Sequence, residues 1–190
     1  GAGIRLAKYS PDFAVNNYTY GNTTTMGTNA APLVHSIGFV WATILWDLHW
    51  KYVEKYGFNS DILANADSGS ARVFQTVLDG IKLQGCSPTF VMGRNGILAA
   101  DQAKTGGADK CMIWNVFAKR GLGLNASAGS KLAITDNIEN FDVPADCALS
   151  TNDVSATKAM SIYPNPAKNE FFLKSNKSIL GKLTVEIFDA

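Results

Sequence analysis

Apolar residues recur at helical spacing through the middle of the chain. Their period predicts a helix over about residues 33–56 that ends at Gly57. The repeating positions are Val34, Ile37, Trp41, Ile44, Leu45, Leu48 and Tyr52. Because the apolar residues cover more than half of the circumference, we expect the central, buried helix of a bundle. Asp47 and Lys51 have the spacing of an i,i+4 ion pair on this helix.

Three further helices are predicted between residues 70 and 121. The second begins near Ser70, and the fourth spans about residues 109–120. The third starts at Ser87-Pro88, interpreted as an N-cap and a proline at the first helical position, and ends at Gly106-Gly107. Residues 1–31 are polar and turn-rich. The sequence therefore predicts a mainly α domain over residues 1–149, with four main helices and a loop-rich N-terminal entry.

The composition changes after Cys147. Residues 150–158 are small and polar, which is typical of a linker. Residues 159–190 have the pattern of a short β tail, most clearly where Leu183, Val185 and Ile187 alternate with polar residues. A segment of this length is too short for a complete sandwich, so we expect a truncated β domain.

Composition and charge exclude some classes of partner. The chain has 190 residues, of which 46% are hydrophobic and 17% charged, so it can bury a core. A net charge of +1 gives no electrostatic basis for binding nucleic acid or an anionic membrane. No apolar run approaches the roughly 20 residues of a membrane span. The sequence begins without Met or a signal peptide, so we expect a mature or cut chain.

Three cysteines are too few for a disulfide scaffold, and they lack the spacing of a zinc ribbon. Cys86 and Cys111 would close a loop of about 25 residues if they paired. From their spacing alone, a disulfide and two buried free thiols remain equally open.

Residues with obvious catalytic chemistry are few. The two histidines, His35 and His49, do not form an HExxH motif, and neither a phosphate-binding glycine loop nor a Gly-x-Ser-x-Gly turn occurs. From the pattern alone, His35 is interpreted as a capping or core histidine and His49 as a partly exposed helix residue. Spacing by itself supports no more than a helical domain with a β tail.

Four longer runs are more specific. They are VHSIGFVWATILW at residues 34–46, LQGCSP at 83–88, RNGILAAD at 94–101, and CMIW at 111–114 leading into FAKRGLG at 117–123. In this order they resemble the C-terminal half of the fungalysin family of zinc metallopeptidases, over about residues 1–148. The resemblance implies that the HExxH helix and the third zinc ligand, a Glu, lie upstream.

The resemblance also implies a thermolysin-like arrangement, in which this helical lobe faces a zinc-binding lobe across the substrate cleft. His35 matches the histidine that donates a hydrogen bond to the oxyanion of the tetrahedral intermediate, and Arg5 matches the arginine that binds a substrate carbonyl. Asn29 is a weak candidate for orienting His35. The implied substrate is a peptide or protein, and the implied cofactor is zinc, with no metal ligand in this segment. The segment alone would bind no catalytic zinc and hydrolyse nothing.

The same resemblance implies a disulfide between Cys86 and Cys111 and therefore an oxidising, extracellular compartment. Cys147 would then pair with an upstream cysteine or stay free.

The tail resembles a second family. The run SIYPNPA at residues 161–167, followed by Phe171-Phe172-Leu173, is similar to the opening of the C-terminal sorting domain of type IX secretion. This resemblance implies recognition by the secretion machinery and attachment at the cell surface.

A non-enzymatic hypothesis is a helical binding or adhesion domain of a cell-surface protein, built on a peptidase-derived scaffold. Under the peptidase hypothesis, Phe39, Trp41 and Trp46 belong to a largely apolar helix, so we expect an exposed apolar face where the zinc-binding lobe belongs. Such a face would favour self-association.

Overall fold

A computed structural model describes residues 5–148, together with the backbone of residues 160–163 and 172–175. The chain divides into two compact units, Gly1–Ser150 and Thr151–Ala190. The described residues are mainly helical, which confirms the predicted fold class. No helix in this described part is long and apolar enough to cross a membrane.

The first unit contains four main helices, as predicted. Its elements are a 3₁₀ helix at Tyr20–Thr25, then α1 at Val34–Tyr56, α2 at Gly69–Lys82, α3 at Phe90–Thr105, α4 at Lys110–Lys119 and the short α5 at Ala145–Ala148. The predicted start of α3 was wrong. Thr89 is its N-cap, with a side chain that accepts from the Met92 N–H at 3.2 Å. Ser87 has a φ of 52° and lies with Pro88 in the preceding loop, so neither is helical.

Helix α1 is central, as expected, and packs against α2, α4 and the 3₁₀ helix. Phe39, Val40, Ile44 and Leu48 of α1 are completely buried. Burial of Phe39 corrects the expectation that it helps to form an exposed apolar face. Trp46 on the same helix is 37% exposed.

Helices α2 and α3 approach closely at a pair of glycines. A Cβ at Gly80 would lie 2.9 Å from the Cα of Ile97, and a Cβ at Gly96 would collide with the carbonyl of Gly80. Backbones can come this near only where no side chain intervenes. The glycines therefore set the distance between the two helices.

The predicted pair of Asp47 and Lys51 does not form. Asp47 is buried on the inner face of α1, and its Oδ2 accepts from Nε of Arg120 at 2.7 Å. Lys51 is exposed and pairs with Glu54 at 2.6 Å. Asp47 thus lies in the interior with a buried partner, whereas Lys51 remains at the surface.

The predicted disulfide between Cys86 and Cys111 was wrong. Cys111 of α4 is bonded to Cys147 of α5, with a Cα–Cα distance of 4.9 Å. Cys86 is an exposed free cysteine in the loop after α2. The bond forms because α5 packs against α4 and brings Cys147 within bonding distance.

In the second unit, β1 at Met160–Tyr163 pairs with β2 at Phe172–Ser175. The strands are antiparallel, with Met160 opposite Ser175 and Tyr163 opposite Phe172. The alternating segment at residues 183–188, also predicted as a strand, lies outside the described residues.

Candidate functional site

The start of α1 is fixed by the turn that precedes it. Gly27 has a φ of 96° and forms an isolated antiparallel bridge with Pro32. Leu33 then donates its N–H to the carbonyl of the buried Met26 at 2.9 Å. A Cβ at Gly27 would lie 2.8 Å from the Leu33 nitrogen, so the turn requires glycine on both conformational and steric grounds. The turn therefore determines where α1 begins.

His35 is the second residue of α1, and its side chain is exposed. Ser36 and Ile37 both donate their N–H groups to the carbonyl of Leu33, at 2.9 and 3.0 Å. These two hydrogen bonds hold the backbone turn that contains His35. Within residues 5–148, no hydrogen bond or ion pair engages the imidazole. His35 is neither a core histidine nor the N-cap, which is Leu33.

The structure does not join Arg5 or Asn29 to His35. Arg5 is exposed at the start of the described residues. The Oδ1 of Asn29 accepts from the N–H of Ile134 at 2.9 Å, so this side chain anchors a distant loop. No hydrogen bond or ion pair between residues 5 and 148 connects any two of these three side chains.

The N-terminal segment that follows Arg5 is packed onto α1. The ring of Tyr9 lies 5.3 Å from that of Phe39 and 6.2 Å from that of Trp46, measured between centroids. The ring of Tyr18 also contacts Phe39, edge-on and with centroids 5.4 Å apart. Aromatic contacts therefore hold this segment against the same helix that carries His35.

Sequence reasoning missed two buried arginines that hold the irregular segments. The guanidinium of Arg120 donates to the carbonyls of Ser10, Asn16 and Tyr18, at 2.9, 2.6 and 3.1 Å. Burial lowers the pKa of Arg94, whose Nη1 donates to the Leu122 carbonyl at 3.0 Å. Charged donors satisfy carbonyls that no helix or sheet would pair. No local feature of the sequence distinguishes them, because Arg94 adjoins Asn95 and Arg120 adjoins Lys119.

The described residues do not supply a metal centre. No group of three or more His, Cys, Asp or Glu among them could hold an ion. His35 and His49 are 14 positions apart on α1, which is about 21 Å along the axis. His49 is partly exposed, as predicted, and stacks on Trp46 with ring centroids 5.8 Å apart. Its removal from water lowers its pKa.

Comparison with known proteins supports the family resemblance that the four runs carry. Residues 1–126 match the family described as Fungalysin metallopeptidase (M36). Extracellular metalloproteinase 2 of Trichophyton tonsurans is 39% identical over 150 residues, covering 76% of this chain and 22% of that protein. Extracellular metalloproteinase MEP of Pyricularia oryzae is 42% identical over 150 residues, covering 75% and 22%. The chain thus spans about a fifth of the length of these relatives.

Proposed function

Because the chain belongs to the fungalysin (M36) family of metallopeptidases, we propose that it is the C-terminal helical part of a secreted zinc endopeptidase. The substrate is a peptide or protein, and the reaction is hydrolysis of a peptide bond. Extracellular relatives and a disulfide in the helical unit support secretion.

Zinc belongs to a different part of the polypeptide in this proposal. The two histidines of the described residues are too far apart to share an ion, and no other suitable ligand group occurs among those residues. When bound, the zinc activates the attacking water and polarises the scissile carbonyl. The residues of this chain then have the tasks of holding the substrate and stabilising developing charge.

His35 is the proposed donor to the oxyanion. The single observation that carries this role is an exposed imidazole without a partner in residues 5–148, on the first turn of a well-anchored helix. A donor already in place loses no energy to reorganisation when the negative charge develops. The buried Met26 and the turn at Gly27 keep the backbone of His35 fixed while its ring faces solvent.

Arg5 is the proposed ligand of a substrate main-chain carbonyl. Its guanidinium is exposed, and the segment after it is held on α1 by Tyr9. Ser10 is tied to the buried Arg120 through its carbonyl. An exposed positive charge next to a segment that is held in place is suited to contact a substrate carbonyl.

The test replaces His35 by Gln in the full-length protein and measures kcat and KM on a peptide substrate. We expect kcat to fall by about 10²- to 10³-fold with little change in KM, as for loss of one oxyanion donor. The matched control is His49→Gln on the same helix, which should retain normal kcat. Equal activity of the His35 variant and the wild type would contradict the proposed role.

The isolated chain should not hydrolyse peptides, because the zinc ligands lie outside it. Residues 1–190 and the full-length protein are assayed side by side with added zinc and then with a chelator. We expect chelator-sensitive turnover from the full-length protein alone. Turnover by the isolated chain would contradict the proposed division of the site. An inactive full-length protein would favour the binding or adhesion hypothesis.

The β tail is the proposed sorting domain for type IX secretion. Support comes from the Tyr163-Pro164-Asn165-Pro166 run, whose first residue is the last residue of β1 in the antiparallel pair. Deletion of residues 151–190 should leave peptidase activity in cell lysates and remove it from the cell surface. Surface activity that persists after this deletion would contradict the sorting role.

A further inference from the structure

An apolar pocket of about 360 Å³ opens beside the first turns of α1. The end of α2 and the start of α3 complete its walls. Its principal apolar lining residues are Val34, Ile37, Trp41, Ile81, Phe90 and Pro88. A concave, mainly apolar cavity of this size falls within the range, roughly 300–1,000 Å³, that binding sites for small groups occupy.

The inner wall of the pocket is closely packed. A Cβ at Gly93 of α3 would lie 2.6 Å from Cη2 of Trp41, so the indole lies directly against the α3 backbone. Phe90 meets the same indole edge-on, with centroids 5.3 Å apart. These contacts give the cavity a rigid inner surface, which is what a pocket needs to select a side chain by size.

Gly38 lies at the mouth of the pocket, and no packing contact with residues 5–148 explains it. A Cβ at this position would have none of their atoms within 4 Å beyond its own stretch of helix, and its φ is not positive. Glycine in a helix interior costs about 1 kcal/mol relative to alanine. Neither a turn nor a close approach accounts for that cost here. The effect of the missing side chain is to leave the pocket open.

The pocket is next to the proposed catalytic donor. Val34 and Gly38, which both line it, lie on the same side of His35 around the first turns of α1. At 3.6 residues per turn, His35 projects about 60° around the helix from Gly38. A peptide whose scissile carbonyl reaches His35 therefore has a neighbouring side chain within reach of the pocket.

We infer that this pocket binds an apolar side chain of the peptide substrate and that Gly38 sets the largest side chain it accepts. The inference rests on the proposed function of His35. The proposed occupant is substrate, because Val34 and Gly38, which line the pocket, share the first turns of α1 with the imidazole proposed to meet the scissile bond. Leu33 and Leu83, which directly precede the lining residues Val34 and Gln84 in the chain, are exposed apolar side chains.

The test uses the full-length enzyme and a peptide library randomised at each position around the cleaved bond, with products read by mass spectrometry. The variants are Gly38→Ala and Gly38→Leu, which fill the mouth of the pocket to increasing extents. The matched control is Lys51→Leu, which adds the same side chain at an exposed site on α1, about 20 Å away along the axis.

At one position of the substrate, we expect Gly38→Leu to lower kcat/KM for peptides that carry Leu or Phe there. The reduction should be about 10- to 100-fold relative to peptides that carry Ala at the same position. Gly38→Ala should cause a smaller change in the same direction, and Lys51→Leu none. Unchanged preferences in Gly38→Leu would overturn the inference, as would a uniform loss over all substrates accompanied by a lower melting temperature. That second result would indicate that another part of the polypeptide fills the pocket.

A binding measurement separates this inference from the proposed role of His35. Calorimetry with chelator-treated full-length protein measures the Kd of uncleaved peptides that carry Leu or Ala at the selected position. The Leu peptide should bind more tightly to the wild type and lose that advantage in Gly38→Leu. If His35→Gln retains full activity, the proposed role of His35 is wrong. If both peptides bind the wild type equally, the inference that the pocket binds an apolar substrate side chain is wrong.

Discussion

The guanidinium of Arg120 is completely buried against the carboxylate of Asp47. Nε lies 2.7 Å from Oδ2, and Nη2 lies 3.2 Å from Oδ1. Lys119 adds a third contact, with its Nζ 3.3 Å from Oδ2 of Asp47. Since the other N–H groups of Arg120 hold the carbonyls of residues 10, 16 and 18, one side chain connects α1, the end of α4 and the N-terminal segment.

Replacement of Asp47 by Asn should destabilise the helical unit strongly. The change leaves the buried charge of Arg120 without its carboxylate, which typically costs about 3–5 kcal/mol. Urea denaturation followed by circular dichroism measures the loss. The control is Lys51→Ala, which breaks an exposed pair with Glu54 and should cost less than about 1 kcal/mol. Similar losses in the two variants would show that the buried pair does not stabilise the fold.

Local sequence signals predicted the helices well. They could not predict contacts between residues that are distant in the sequence. The apolar period fixed the start of α1 within one residue, because it depends on one face of one helix. The same period could not reveal that Asp47 meets Arg120, 73 positions away. The N-cap of α3 was missed because the Ser87-Pro88 pair resembles a helix start, and the positive φ of Ser87 is not visible in sequence.

In the candidate site, too, some features were predictable from the sequence and others depend on tertiary packing. The resemblance selected His35, and the exposed position on α1 suits the role proposed for it. The resemblance implied the pairing of Cys86 with Cys111, and this was wrong because α5 packs against α4 and brings Cys147 to Cys111. The pocket at Gly38 combines residues from three helices, so periodicity along one helix could not predict it.

The disulfide between Cys111 and Cys147 should stabilise the helical unit. It joins residues 36 positions apart, and closing such a loop is worth about 2–4 kcal/mol. Cys147→Ser should therefore lower the free energy of unfolding measured in urea, whereas Cys86→Ser at an exposed site should leave it nearly unchanged. A loss confined to the Cys86 variant would contradict the observed pairing.

Thiol labelling gives a separate check on the same bond. The native, unreduced protein treated with iodoacetamide should carry one adduct, and peptide mapping should place it at Cys86. After reduction and unfolding, all three cysteines should react. Protection of Cys86 together with labelling of Cys147 would restore the pairing of Cys86 with Cys111.

The stability of the helical unit should depend on pH through His49. Burial lowers the pKa of this imidazole in the folded chain below its ordinary value of 6.5. The unfolded chain therefore takes up a proton first as the pH falls, so the contribution to stability is present above pH 6.5 and is lost below it. Urea denaturation of wild type and His49→Phe, from about pH 8 to about pH 5, should show a steeper decline in the wild type. Parallel declines would exclude His49 as the cause.

Two helical glycines should respond in opposite directions to substitution by alanine. At Gly80, the added Cβ would lie 2.9 Å from the Ile97 backbone, so α2 and α3 must separate and the protein should lose about 1–3 kcal/mol. At Gly38, the added Cβ meets no described residue within 4 Å, and relief from the poor helix propensity of glycine should contribute about 0.5–1 kcal/mol. Thermal unfolding of the two variants beside the wild type measures both changes. The substitution is the same in each case, so the two variants can be compared directly. A fall in melting temperature at both positions would show that Gly38, like Gly80, is needed for packing. The mouth of the pocket would then be closed in solution.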